Sequence, residues 1–198
     1  MPSVDTKQMA TIYEIYARTK YLMLKAEEFP GYEAYLQPRL ELYNAFDNFM
    51  VAYQDANESG TDIDLSSTVK RIYTAFFDIA DWLNIRIKKI IVEELGKHDP
   101  EDISRAIPEY YNEIRPALDR ITDEVSTIRA NKAREKADEV EKYVQLMEQS
   151  LGYLATIRSA KSSLSELKRK RRLKSPWIAY ILAFIAIVVA VVFFFLGQ

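Results

Sequence analysis

Few side chains in this sequence are suited to acid–base, nucleophilic or metal chemistry. His98 is the single histidine and cysteine is absent. No thiolate nucleophile, disulfide framework or thiolate zinc site can therefore exist. Metal sites in helical bundles take paired Glu-x-x-His motifs from facing helices, and one histidine cannot supply two. No GxxxxGK[ST] loop occurs, and five glycines in 198 residues leave no glycine-rich cradle for a phosphate. Acidic pairs are present (Glu27 with Glu28, Glu93 with Glu94, Asp78 with Asp81), but they lie on helical stretches rich in Lys and Arg, where solvated faces are the default. No catalytic, cofactor-binding or metal-binding residue is assigned, no cofactor is expected, and the chain reads as a non-enzyme.

The strongest physical signal lies in KRKRRLKSPWIAYILAFIAIVVAVVFFFLGQ, residues 168–198. Lys168, Arg169, Lys170, Arg171, Arg172 and Lys174 form a basic collar, and Trp177 to Leu196 is uncharged. As a helix that run is roughly 30 Å long, the thickness of a bilayer's hydrocarbon core. Trp177 and Tyr180 fall where interfacial aromatics sit, and basic residues before the span put the N-terminal part in the cytoplasm. The expectation is a single-pass, tail-anchored membrane protein whose partner is the lipid bilayer. Beyond setting topology, each collar residue attracts acidic headgroups by about 1 kcal/mol. Ala179, Ala183, Ala186 and Ala190 recur at intervals of 4, 3 and 4. Small residues so spaced let two helices approach, which would give a homo-oligomer through the anchor. The opening MPSVDTKQMATIYEIY lacks a basic region followed by an apolar core and does not read as a signal peptide. A net charge of −2 argues against nucleic acid as a partner.

What precedes the collar reads as all-α. A first helix is expected from about Asp5 to Glu28, with Met9, Ile12, Tyr13, Tyr16 and Met23 on its apolar face. A second runs from about Tyr32 to Asn57, carrying Leu36, Leu40, Tyr43, Phe46, Met50 and Tyr53. The third, from Leu65 to Leu95, keeps an i, i+3, i+4 rhythm from Val69 to Ile91. Ile114, Leu118, Ile121, Val125 and Ile128 resume the pattern after Pro108. From Pro116 one long helix, or two nearly collinear ones, is expected to lead to the membrane, through the polar stretch NKAREKADEVEK (131–142). Val140, Val144, Met147, Leu151 and Leu154 then form a short heptad stripe, open to a coiled coil or to packing on the chain's own bundle. Pro30–Glu41 and Pro108–Asp119 match at one constant offset, as a helical hairpin used twice would.

The expected architecture is thus a cytoplasmic antiparallel bundle of two hairpins (1–130), a membrane-proximal helix with its collar (131–175) and a transmembrane anchor (176–198). The function read from it is a protein–protein interaction or scaffold module at the membrane surface, partner unidentified, with homo-oligomers through the anchor or the membrane-proximal helix. This layout resembles the architecture of syntaxin-like SNAREs, which implies an alternative in membrane remodelling or fusion by helix assembly. A SNARE motif needs heptads sustained around a central glutamine layer, and 131–142 interrupts them here, so no residue role carries over. An oligomeric pore is a third reading, disfavoured by the all-apolar span.

Overall fold

The structure is a computed structural model that describes residues 3–130, 137–173, 180–181 and 183–189, with the side chains of Ala137, Arg172 and Leu173 left aside. Among the described residues it is all-helical, with no strand. The helices are α1 (Thr6–Ala26), α2 (Gln37–Ser59), α3 (Ser66–Leu95), α4 (Pro100–Ala106), α5 (Arg115–Ala130), α6 (Ala137–Ser159) and α7 (Lys161–Leu173).

Local chemistry sets the helix ends. Asp5 caps α1 by accepting from the Lys7 and Gln8 amides at 2.8 and 3.4 Å. Pro38 occupies the first turn of α2, where its missing N–H costs nothing. Gly60 ends α2 in the left-handed region at φ 70°, donating to the Ala56 carbonyl. Before α5 the backbone makes a π-helical turn, Tyr110–Ile114, in which the Ile114 and Arg115 amides reach back five residues to Glu109 and Tyr110. The widened turn makes room for Pro116, which has no N–H and whose ring would press on a regular preceding turn.

Helix α3 is the axis. Ala75, Phe76, Phe77, Ile79, Ala80 and Leu83 are all buried, which no single face can accommodate. The opposite side, with Arg71, Ile85, Lys89 and Val92, is exposed, so the wide apolar arc needs more than one neighbouring helix to cover it. On one side, α1 runs parallel to it and α2 antiparallel, in register through Arg71 to the buried Glu41 carboxylate (3.0 Å). On the other, Tyr143 of α6 packs edge-on to Phe76 at 6.1 Å. Its hydroxyl donates to Asp81 at 2.7 Å, and the same carboxylate pairs with Arg129 of α5 at 3.2 Å. Burial foremost, then the Asp81 charge and hydrogen bond, pushes the Tyr143 phenol far above its ordinary range.

One expectation is corrected here, and one open choice is decided. Helices α5 and α6 are not collinear. Arg129 and Tyr143 meet at Asp81, and Lys142 pairs back to Glu124 at 2.9 Å, so the chain reverses between Ala130 and Ala137. A sequence of alternating charges without Gly or Pro gives no turn signal, and tertiary packing decided the matter. The open choice concerns the membrane-proximal helix. Val140, Tyr143, Val144, Met147, Leu154, Ile157 and Leu164 belong to the same core as α1 and α3, so the stripe packs on its own bundle rather than in a coiled coil. The bundle is accordingly an up-down-up unit (α1–α3) closed by an α5–α6 hairpin, not two hairpins alone. The matched segments Pro30–Glu41 and Pro108–Asp119 both lead into helices, yet Leu36 is exposed where its counterpart Ile114 is buried.

Replacing Tyr143 by Phe removes one hydrogen bond to a charged acceptor and should lower unfolding free energy by about 1–2 kcal/mol. Replacing it by Ala should cost about 3–5 kcal/mol through the cavity left beside Phe76 and Phe77. Urea unfolding of residues 1–173, which retain every core residue, followed by circular dichroism, checks both values.

Candidate interaction surface

Helix α2 turns mainly small side chains inward, with Leu42 and Phe49 partly buried beside them, and most of its large ones outward. Pro38, Glu41, Ala45 and Ala56 are buried against the bundle. On the opposite side Leu36, Leu40, Tyr43, Phe46, Met50, Val51 and Tyr53 are exposed, Tyr43 at 68 % and Phe46 at 63 %. This outward stripe is the one that periodicity assigns to the core. The expectation fails because α2 lies close to α3, and the narrow gap admits alanine but not phenylalanine. The same correction applies to part of α1, where Ile12 and Met23 pack against the core as expected. Ile15, Leu22 and Ala26 face inward, whereas Met9, Tyr13 and Tyr16 are exposed, Tyr13 at 74 %. Leaving a Leu, Phe or Met side chain on the surface forgoes roughly 1.5–3 kcal/mol that burial would contribute. A contiguous row of them on a folded domain is uncommon, which makes this surface the candidate site.

The two exposed rows meet at a cleft of about 180 Å³ between α1 and α2, lined by Ile12, Tyr16, Leu42, Ala45, Phe46, Phe49, Thr68 and Ile72. The entry to α2 is held firmly. Tyr35 stacks on Trp82 of α3 with ring centres 5.7 Å apart, Tyr32 packs on the same indole, and Arg86 donates from Nε to the Pro30 carbonyl at 3.0 Å. The Tyr35 phenol, pushed up to about 12 by burial and then by Asp78 and Asp81, stays protonated and donates to the Asp78 carbonyl. The surface is therefore presented by a rigid scaffold.

Three ion pairs join neighbouring helices away from α2: Glu94 with Lys161, Glu124 with Lys142 and Glu141 with Arg18. The α2 stripe has few cations near it in sequence. Between Arg39 and Lys70 the sequence has no Lys or Arg. Glu41 is taken up by Arg71, but among the described residues Asp47, Asp55 and Glu58 enter no ion pair. Asp55, Asp62 and Asp64 line a further cleft at the far end of α2.

The residues singled out in the sequence fall elsewhere. Arg171 bonds to Asp99, to Glu101 at 3.3 Å and to the buried Asp102 at 3.0 Å. Lys168 donates to the Lys97 carbonyl at 2.9 Å and Lys170 pairs with Glu166, while Arg169 is exposed. Part of the collar thus clips α7 onto α4. The Arg172 side chain, Lys174, Trp177, Ala179 and Ala190 lie outside the described residues. Tyr180 is exposed, as are Ala183 and Ala186 in the helical residues 183–189. The described alanines of that seam face no partner helix within this single chain. His98 is half-buried, with Nδ1 enclosed and no hydrogen-bond partner. Among the described residues no group of three or more His, Asp or Glu side chains is placed to hold a metal, and no helix is long and apolar enough to cross a membrane. Of the acidic pairs, Glu28 pairs with Lys25, Glu93 with Lys89, Glu94 with Lys161 and Asp81 with Arg129.

Comparisons with protein-family models, with curated proteins and with solved structures found no match for this chain.

Because the α2 stripe contributes nothing to the core, Tyr43→Ser and Phe46→Ser should each change stability by less than about 0.5 kcal/mol. Ala45→Leu, which inserts methylenes into the α2–α3 gap, should cost about 1–3 kcal/mol. Chemical denaturation of the three variants distinguishes an outward-facing stripe from a core one.

Proposed function

We propose that this protein is a membrane-tethered interaction module: a helical bundle that presents the α1–α2 surface to a protein partner while its C-terminal apolar segment holds it at a bilayer, with the bundle on the cytoplasmic side. The observation that carries the reading is the exposed aromatic stripe of α2 on a domain whose core is otherwise closed. A bundle with buried stripes on α3, α5 and α6 has no folding use for Tyr43, Phe46 and Tyr53 on the outside.

The tether is supported by the uncharged run from Trp177 to Leu196. It gains further support from the described part of that run. In residues 183–189 Phe184, Ile185, Ile187 and Val188 lie on different sides of a helix, and all are exposed. A helix with apolar side chains exposed all round is suited to a hydrocarbon solvent, not to water. The fusion-type alternative loses ground, because the Val140–Leu154 stripe that would assemble with other helices is occupied within the bundle.

The tether has a direct test. The full chain should float with liposomes and resist alkaline extraction, whereas a chain ending at Ser175 should remain in the aqueous fraction and keep its helix content. Protease added to sealed cells should leave the bundle intact. Extraction of the full chain by alkali would remove the tether, and digestion of the bundle from outside would reverse its side.

A further inference from the structure

The surface is more selective than an apolar patch, because the charge along α2 is mainly acidic: Asp47, Asp55 and Glu58 outnumber the single cation, Arg39, at the start of the stripe. We propose that the α2 stripe docks an amphipathic helix of a partner protein that carries Lys or Arg beside its own apolar residues. This rests on reading the bundle as an interaction module and specifies what that module accepts.

Length fits a helix. From Leu36 to Tyr53 the stripe extends for roughly 26 Å at 1.5 Å per residue, enough to lie along five turns of a partner. Shape fits one as well: the cleft beside Tyr16 and Phe46, about 180 Å³, is large enough for one bulky apolar side chain to insert. Helices laid in apolar grooves anchor through such side chains at i, i+3, i+4 and i+7.

Charge selects the partner. Asp47, Asp55 and Glu58 flank the stripe without cationic partners among the described residues, and they outnumber Arg39, the one cation of α2. Across an interface, opposite potentials steer encounter and like charges repel. A second copy docking α2 against α2 would bring two acidic rows together, which disfavours self-association through this face. An acidic membrane surface is disfavoured for the same reason. On α1 the exposed charges beside Tyr13 and Tyr16 are Glu14 and Lys20, one of each sign, so the selectivity belongs to α2.

The test uses the full chain in phosphatidylcholine nanodiscs, with empty discs as reference. Two labelled 18-residue helical peptides share one Leu/Ile stripe; one has Lys flanks and the other Glu flanks. Fluorescence anisotropy should show the Lys peptide binding at least tenfold tighter, with the preference shrinking as salt rises. Tyr43→Ser with Phe46→Ser should weaken it tenfold or more. Asp47→Lys with Asp55→Lys should invert the order of the two peptides. Equal binding of both peptides, or no loss in either double variant, overturns the proposal. Sedimentation of the same samples separates its failure from that of the broader reading. If the Tyr43/Phe46 variant abolishes self-association, the occupant is a second copy and the interaction module stands. If it abolishes attachment to added liposomes, the occupant is lipid. If it changes none of these, the interaction module itself falls.

Discussion

Helix α3 is stable in water only when its wide apolar arc is covered, and the remainder of the bundle follows from that requirement. Phe76 and Phe77 are adjacent in sequence and about 100° apart around the axis, so one neighbouring helix cannot shelter both. The flank toward α6 is filled by bulk, with Tyr143, Val144 and Met147 packed between the helices. The flank toward α2 is filled by proximity, with Ala45 and Ala56 letting the backbones approach. These are two solutions to one packing problem, and they have opposite consequences. Bulk on α6 turns its apolar side chains inward. Proximity on α2 leaves no room inside, so that helix carries its large residues on the surface.

The same division appears in the charges. Asp81 receives Arg129 from α5 and the Tyr143 hydroxyl from α6, joining both strokes of the hairpin to the central helix. Glu41, on the inner face of α2, is satisfied by Arg71 and by the Gln37 amide at 3.1 Å. Each of these buried or half-buried carboxylates has its partners supplied by the fold. On the outer face of α2, Asp47 and Asp55 enter no ion pair among the described residues and Glu58 accepts from the Gln54 amide at 2.9 Å, which leaves that surface with an acidity that hydrophobicity alone would not give.

Much of the fold was legible in the sequence, and the exceptions have specific causes. The stripes of α3 and α5 are buried nearly as periodicity indicates, because one large apolar row and one polar face leave a single orientation. Both α1 and α2 defeated that logic. Periodicity finds a stripe but does not say which way it faces, and α2 has two: large residues on one side, Ala45, Ala52 and Ala56 on the other. The alanine row was the available signal, being the pattern of a helix that packs closely. The reversal between Ala130 and Ala137 carried no local mark, since it is fixed by contacts such as Glu124 to Lys142 that only the folded chain brings together. Arg171 illustrates the same limit. Its neighbours in sequence are basic, and its three carboxylates lie some seventy positions away on α4.

That last contact has a mechanical consequence. Helices α3 and α6 run in the same direction, so α4 and α7 follow them at the same end of the bundle, where Arg171 and Lys168 bridge the two. With the C-terminal segment held in a bilayer, tension on a captured partner would pass between the membrane and α7. The bridge to α4 would share that load with the central helix, instead of peeling α6 away one turn at a time. Several contacts strained side by side resist a steady pull better than the same contacts broken in sequence. The clip would then serve as the strain relief of a tether, placed where the force enters the fold.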